Sequence, residues 1–202
     1  KYTLPATLVN LLSIQTPIYF INKVFGASNL GQYSLAERSV NLPISFLSSS
    51  IQDVYRDLAS KSIHEKGECV KTTKDFFFIS LAISSLIILP LCLLAPIIFP
   101  IILGENWAIS GQITQALCFF LMLRFISSPI SYVWLLRGKQ KQDFLWQIGL
   151  MFITLAIFLS SLFYSIEFLN IIWTYSIFAG LWYLICIFIS FYYSRNLEKN
   201  NL

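Results

Sequence analysis

The sequence predicts an all-α fold, a polytopic transmembrane bundle of about six spanning helices. Three observations predict it. Of 202 residues, 56% are hydrophobic and only 12% charged, where an ordinary soluble domain carries about 25% charge. Six stretches each approach the roughly 20 mostly apolar residues that a spanning helix needs. Lys and Arg alternate between the connections, as in a protein threaded back and forth through a bilayer.

The first helix is placed at 4–25. Its face Gln15, Tyr19, Asn22 and Lys23 is polar, and Pro17 loosens it. The second, at 33–56, is apolar overall yet carries a seam: Ser34, Arg38, Asn41, Ser45, Ser48, Gln52 and Arg56. At about 100° per residue these seven fall within roughly 80° of arc. A helix in lipid must turn such a stripe toward protein or a water-filled cavity, so the seam reads as one wall of a hydrophilic pathway. The third helix, at 76–103, is bent or broken by Pro90, Pro96 and Pro100. The fourth, at 112–136, carries Arg124 near the bilayer midplane, with Ser127, Ser128 and Ser131 on the same face. The fifth and sixth, at 144–164 and 171–193, hold no deep ionisable residue and are expected to be peripheral. Trp107, Trp146, Trp173 and Tyr193 stand near segment ends as interfacial anchors.

Loop charge sets the orientation. The connection 56–74 contains Arg56, Lys61, Lys66, Lys71 and Lys74, the next basic one Arg137, Lys139 and Lys141, and Arg195 and Lys199 follow the sixth helix. Connections 26–32, 104–111 and 165–170 have no Lys or Arg. Both ends of the chain and both basic loops are therefore expected in the cytoplasm. The first basic loop extends the second helix, with Asp53, Asp57, Lys61 and Glu65 at i,i+4 spacing, until Gly67 ends it. Its lysines are also suited to acidic membrane lipids. The opening KYTLPATLVN has neither Met nor a charged leader ahead of an apolar run, and is expected to come from the middle of a longer protein.

Several function classes are excluded or disfavoured. The net charge of +4 is spread between apolar segments instead of forming a nucleic-acid patch. Four cysteines and one histidine, His64, show no metal-ligand spacing. No phosphate loop, zinc-protease motif or Ser/His/Asp set is present. A buried Arg in a membrane is costly and marks a functional site by default. The structural alternative is that Arg124 pairs with Glu37 or Asp53. Arg38 and Lys23, near the outer ends of their helices, either reach water or join Arg124 around one polar volume suited to an anion.

FGASNLGQYSLAERSVNLPISFLSSSIQDVYRDLASK resembles a segment of bacterial polysaccharide flippases, in which a Gly-containing outer turn leads into G-x-Y-S-x-A-x-R, a Pro and a Ser-rich stretch. IIFPIILGENWAISG and LRFISSPISYVWLLRGKQK agree with it. The chain resembles the Wzx-like flippases of O-antigen and other lipid-linked oligosaccharides, within the multidrug/oligosaccharidyl-lipid/polysaccharide exporter superfamily. The resemblance implies a C-terminal half of a two-lobed carrier of about twelve helices, with the N-terminal half of the same transporter as its partner. It implies a substrate of undecaprenyl-pyrophosphate-linked sugar, flipped across the bacterial inner membrane, with polymerase and assembly proteins as further partners. Arg124, Arg38 and then Lys23 become candidates for the phosphates, because guanidinium binds phosphate oxygens in pairs. Asn41, Ser45, Ser48 and Gln52 become candidates for the glycan. No cofactor is expected, and a gradient of H+ or Na+ is the candidate driving force. A drug exporter of the same superfamily would favour acidic cavity residues. A membrane-embedded transferase or polymerase would need an acid or base at the interface. A scaffold would leave Arg124 and the seam without a purpose.

Overall fold

The computed structural model describes residues 3–195. Lys199 and the first two residues of the opening lie outside them. The chain forms α1 (Thr3–Lys66), α2 (Val70–Ile83), a π-helical turn (Ser84–Ile88), α3 (Leu89–Leu103), a 3-10 turn (Glu105–Trp107), α4 (Ala108–Ile130), α5 (Val133–Leu136), α6 (Gln140–Phe163) and α7 (Phe168–Ser194). No strand occurs among the described residues.

Helix is found at all six expected places, but the first connection differs. The loop expected at 26–32 is absent. Helix resumes immediately beyond Gly26, whose φ of 85° and ψ of 169° interrupt α1. Only glycine adopts that backbone region without strain, so one residue does the work of a loop. The arms 3–25 and 27–66 lie side by side: Asn10 and Gln52 line one cavity, and Pro17 and Tyr33 another. Pro17 and Pro43 sit inside the helical run without ending it.

Among the described residues, four rods are long and apolar enough to cross a membrane: Val70–Leu103, Glu105–Leu136, Gln140–Phe163 and Phe168–Ser194. The second arm of α1 is less apolar, because the seam runs along it. The first of these rods, Val70–Leu103, begins six residues before the apolar run expected at 76–103, since a backbone helix continues through polar flanks. Of its three prolines, Pro90 has the visible effect. A proline ring crowds the carbonyl four residues back, and the helix widens into the π-turn just before it.

α4 is the central helix, packed against α1, α3 and α7, with Ile113, Ala116, Leu117, Leu121 and Phe125 buried. Gly111 lets it approach α3: a methyl group there would stand 2.5 Å from the Ala95 carbonyl oxygen. The expectation that the last two helices are peripheral is corrected. α7 buries Ser176, Ala179, Gly180, Ser190 and Ser194, a run of small residues that permits close helix approach. Gly180 receives the Phe119 ring, and Trp134 Nε1 donates to Ser190 Oγ at 2.8 Å.

Each end of the bundle is tied by backbone-directed hydrogen bonds. At the end holding Gly26 and Gly104, Gln32 Nε2 donates to the Asn106 carbonyl at 2.6 Å, and Gln32 accepts from the Ser110 N–H at 3.0 Å. At the other end Arg137 donates to the carbonyls of Tyr193 (3.0 Å), Gly67 (2.8 Å) and Arg195 (2.9 Å). Cys69 N–H adds a bond to the Ser194 carbonyl at 2.8 Å. The basic connections therefore meet at one end of the bundle. Along the last part of α1, Lys61 approaches Glu65 at 3.9 Å, while Asp53 and Asp57 turn to Arg56, each at 3.4 Å. These pairs are exposed and contribute little.

Candidate functional site

The seam on the second arm of α1 and the serine face of α4 form the walls of an open cavity of about 410 Å³. Arg38, Asn41, Ser45, Ser48 and Gln52 line it from α1, and Arg124 and Ser128 from α4. Helical periodicity puts the first five on one face, and packing of that face against α4 brings the sixth and seventh to it. Ser34 and Arg56, the ends of the seam, are not among its lining residues.

Arg124 is half-buried and has no carboxylate within ion-pair distance among the described residues. The pairing with Glu37 or Asp53 that would have explained it structurally is not made. Asp53 is taken by Arg56. Glu37 is held one residue away: Arg124 Nη1 donates to Asn41 Oδ1 at 3.4 Å, and Asn41 Nδ2 donates to Glu37 Oε1 at 2.9 Å. The guanidinium also lies 5.7 Å from the centre of the Phe120 ring, a distance at which the ring face attracts a cation. The result is a cation steadied by an amide and a ring but not neutralised. Ser48 Oγ, buried at 7% exposure, has no hydrogen-bond partner among the described residues.

Arg124 also lines two further polar spaces. One, of about 30 Å³, is bounded by Asn10, Ser13, Glu37, Tyr33, Tyr175 and Tyr183. The other is an inner chamber of about 290 Å³ between α1, α4, α6 and α7. Ser127 and Ser131 open into this chamber, not into the outer cavity. The three spaces converge on the one guanidinium.

The structure does not bring the Gln15, Tyr19, Asn22 and Lys23 face to Arg124. These four side chains are exposed, and Lys23 Nζ rests 5.9 Å from the Tyr19 ring centre. The face that the first arm turns inward is Asn10, Ser13, Ile14 and Pro17. Trp146 is no interfacial anchor: it is 8% exposed, stacks on Trp182 with ring centres 6.4 Å apart, and lines the inner chamber. Asp143 and Gln147 join it there. Their i,i+4 spacing at the start of α6 was the available signal, hidden because both stand among ordinary flanking polar residues. No group of three or more His, Cys, Asp or Glu among the described residues is placed to hold a metal.

An all-helical bundle whose described residues include four helices able to span a membrane, with a polar groove carrying Arg38 and Arg124 between two helices, is a polytopic membrane protein. Residues 1–112, more than half of the chain, match the family described as "Polysaccharide biosynthesis protein". The chain belongs to that family, and its role lies in polysaccharide biosynthesis. It is similar to the amylovoran biosynthesis protein AmsL of Erwinia amylovora, 23% identical over 73% of this chain and 38% of that protein. It is similar to the teichuronic acid biosynthesis protein TuaB of Bacillus subtilis, 24% identical over 91% of this chain and 38% of that protein. An uncharacterized membrane protein in the cps region of Klebsiella pneumoniae is 30% identical over 86% of this chain and 34% of that protein. The chain thus spans between 34% and 38% of the curated relatives it matches. No solved structure matches.

Proposed function

We propose that this chain is the C-terminal half of a carrier that flips undecaprenyl-pyrophosphate-linked oligosaccharide units across the bacterial inner membrane. The observation that carries the proposal is the Arg124 guanidinium: half-buried, unpaired with any carboxylate, and sharing one groove with Arg38 and a row of hydroxyls and amides. A pyrophosphate would supply the charge that Arg124 lacks, through charge-assisted hydrogen bonds. Asn41, Ser45, Ser48 and Gln52 would take the polar glycan. Lys23 is a reserve cation on an exposed face, open to the other half of the carrier. The arms of α1 would complete six spans, the lower apolar content of the second being the consequence of walling the pathway. The end clasped by Arg137 faces the cytoplasm, as the positive charge there requires. Energy would come from a gradient of H+ or Na+, and polymerase and assembly proteins would receive the product.

Arg124→Gln in the full-length gene tests this in the host. Surface polysaccharide is expected to be lost, and linked repeat units to accumulate in the cell, at unchanged protein level. Normal surface polysaccharide would remove Arg124 from translocation. Absence of the linked precursor itself would replace the carrier with a membrane-embedded transferase or polymerase.

A further inference from the structure

The outer groove and the cargo proposed for it differ by one unit of charge. Among the described residues, the charged lining of the groove is Arg38, Arg124 and Glu37. With Glu37 ionised these side chains carry a net charge of +1, and with Glu37 protonated +2. A diphosphate joining a lipid to a sugar carries about two negative charges, and as a diester it lacks the second proton that a phosphate monoester loses near about pH 6. The groove matches that cargo when Glu37 holds a proton.

Geometry makes the mismatch local. Glu37 Oε1 accepts from Asn41 Nδ2 at 2.9 Å, and Asn41 Oδ1 accepts from Arg124 Nη1 at 3.4 Å. A diphosphate on Arg124 therefore stands one amide away from the carboxylate. Like charges repel strongly where water is partly excluded, and a proton on one of them relieves the repulsion. Glu37 makes no ion pair among the described residues that would hold it ionised.

The surroundings single out Glu37 as the group that gains the proton. It lines both the outer groove and the small space behind it. Its own helix brings Tyr33 and Arg38 to these spaces, α4 brings Arg124, and α7 brings Tyr175 and Tyr183. The polar groups of the first arm and of α6 in the small space are the neutral Asn10, Ser13 and Thr154. Tyrosine and arginine keep their protons through the neutral range, so neither has room for another. A metal cation would meet the Arg124 guanidinium in the same space, with a single carboxylate to hold it. A proton needs the carboxylate alone.

We infer that Glu37 is a proton site linked to the anion site, so that a diphosphate binding at Arg124 draws one proton onto Glu37. Linkage is reciprocal: a proton gained on binding makes protons favour the bound form, and affinity for the diphosphate falls as pH rises. This rests on the carrier reading, which supplies the diphosphate.

The probe is geranyl-diphosphate-glucose, a diester with no titrating group of its own around neutral pH. It is titrated calorimetrically into the full-length protein in lipid nanodiscs, in two buffers of different ionisation enthalpy, which counts protons taken up. Uptake approaching one proton per probe is expected, with affinity falling by up to about tenfold per pH unit. Glu37→Gln keeps the shape and the acceptor for Asn41, and should abolish both the uptake and the pH dependence. Glu37→Asp should retain them. Geranyl-phosphate-glucose, with one negative charge, matches the groove with Glu37 ionised and should draw far fewer protons. Binding of the diphosphate without proton uptake would overturn the inference and leave the carrier reading standing. Uptake that survives Glu37→Gln, equal uptake with the singly charged probe, or dependence on Na+ in place of pH would overturn it too. Should either variant fail to fold, the proton count of the unmodified protein still decides. No binding of the diphosphate at all would remove the carrier reading and the inference together.

Discussion

At the scale of single residues, the arrangement turns on Asn41. Its amide accepts from Arg124 at 3.4 Å and donates to Glu37 at 2.9 Å, so it orders a cation and an anion without letting them cancel. Asn41→Asp would set a carboxylate directly against the guanidinium at nearly unchanged volume. A hydrogen bond between charged groups contributes about 1.5–3 kcal/mol, enough to lower the affinity of Arg124 for an anionic substrate by roughly tenfold or more. Export by Asn41→Asp should fall accordingly while folded protein accumulates normally, as measured by surface glycan against membrane protein level. Asn41→Ser, which leaves Arg124 free, should export better than Asn41→Asp.

Arg124, Arg38 and the seam were legible in the sequence because helical periodicity and the cost of a buried charge are local or general properties. The inward face of the first arm was not. Gln15, Tyr19, Asn22 and Lys23 are its more polar residues, yet the arm turns Asn10 and Ser13 to the cavity. The rotation of a helix about its own axis is set by what packs against it, here Phe20 on Phe158 of α6 and Phe25 on Phe168 of α7.

At the scale of elements, two contacts decide how the helices meet. Gly111 faces the Ala95 carbonyl and Pro96 Cα, which an added methyl would approach to 2.5 and 2.7 Å. In an open helix position Gly→Ala would stabilise by about 1 kcal/mol. Here the neighbours are backbone and yield little, so Gly111→Ala should destabilise by about 1–3 kcal/mol, seen as a lower melting temperature in detergent. Gly26→Ala offers the contrast, since its added methyl meets nothing within 4 Å and its cost would be purely that of a strained backbone.

Arg137 is the second such contact. It closes the last carbonyls of α1 and α7 with one guanidinium, where the helix dipoles place negative charge. Arg137→Ala should cost on the order of 3 kcal/mol, since three bonds from a charged donor are lost. Arg137→Lys should recover only part of it, because an ammonium lacks the planar fork. Thermal melts of the two variants in detergent would show the ordering Arg, Lys, Ala.

At the scale of the whole molecule, the proposed orientation is open to labelling. All four cysteines are buried, and burial raises the pKa of the Cys69 thiol, keeping it protonated and unreactive at neutral pH. Background labelling should therefore be low. A membrane-impermeant maleimide applied from outside spheroplasts should modify Ser165→Cys but not Lys61→Cys, both of which are exposed positions. The reverse pattern would invert the topology.

The sequence by itself determined the class of fold, the six helical stretches, the gathering of basic connections at one end, and the residues of the polar seam. These follow from composition, from a period of 3.6 residues and from the energy of charge in lipid, each readable along the chain. Only the tertiary structure decided that Gly26 replaces a loop, that α6 and α7 line a chamber beside Arg124, and that Arg124 reaches Asn41 in place of a carboxylate. It also decided that Trp146, Asp143 and Gln147 enclose a chamber. Those outcomes depend on how helices rotate and pack against one another, which is fixed by contacts between residues far apart in sequence, such as Trp134 with Ser190 and Gln32 with Ser110.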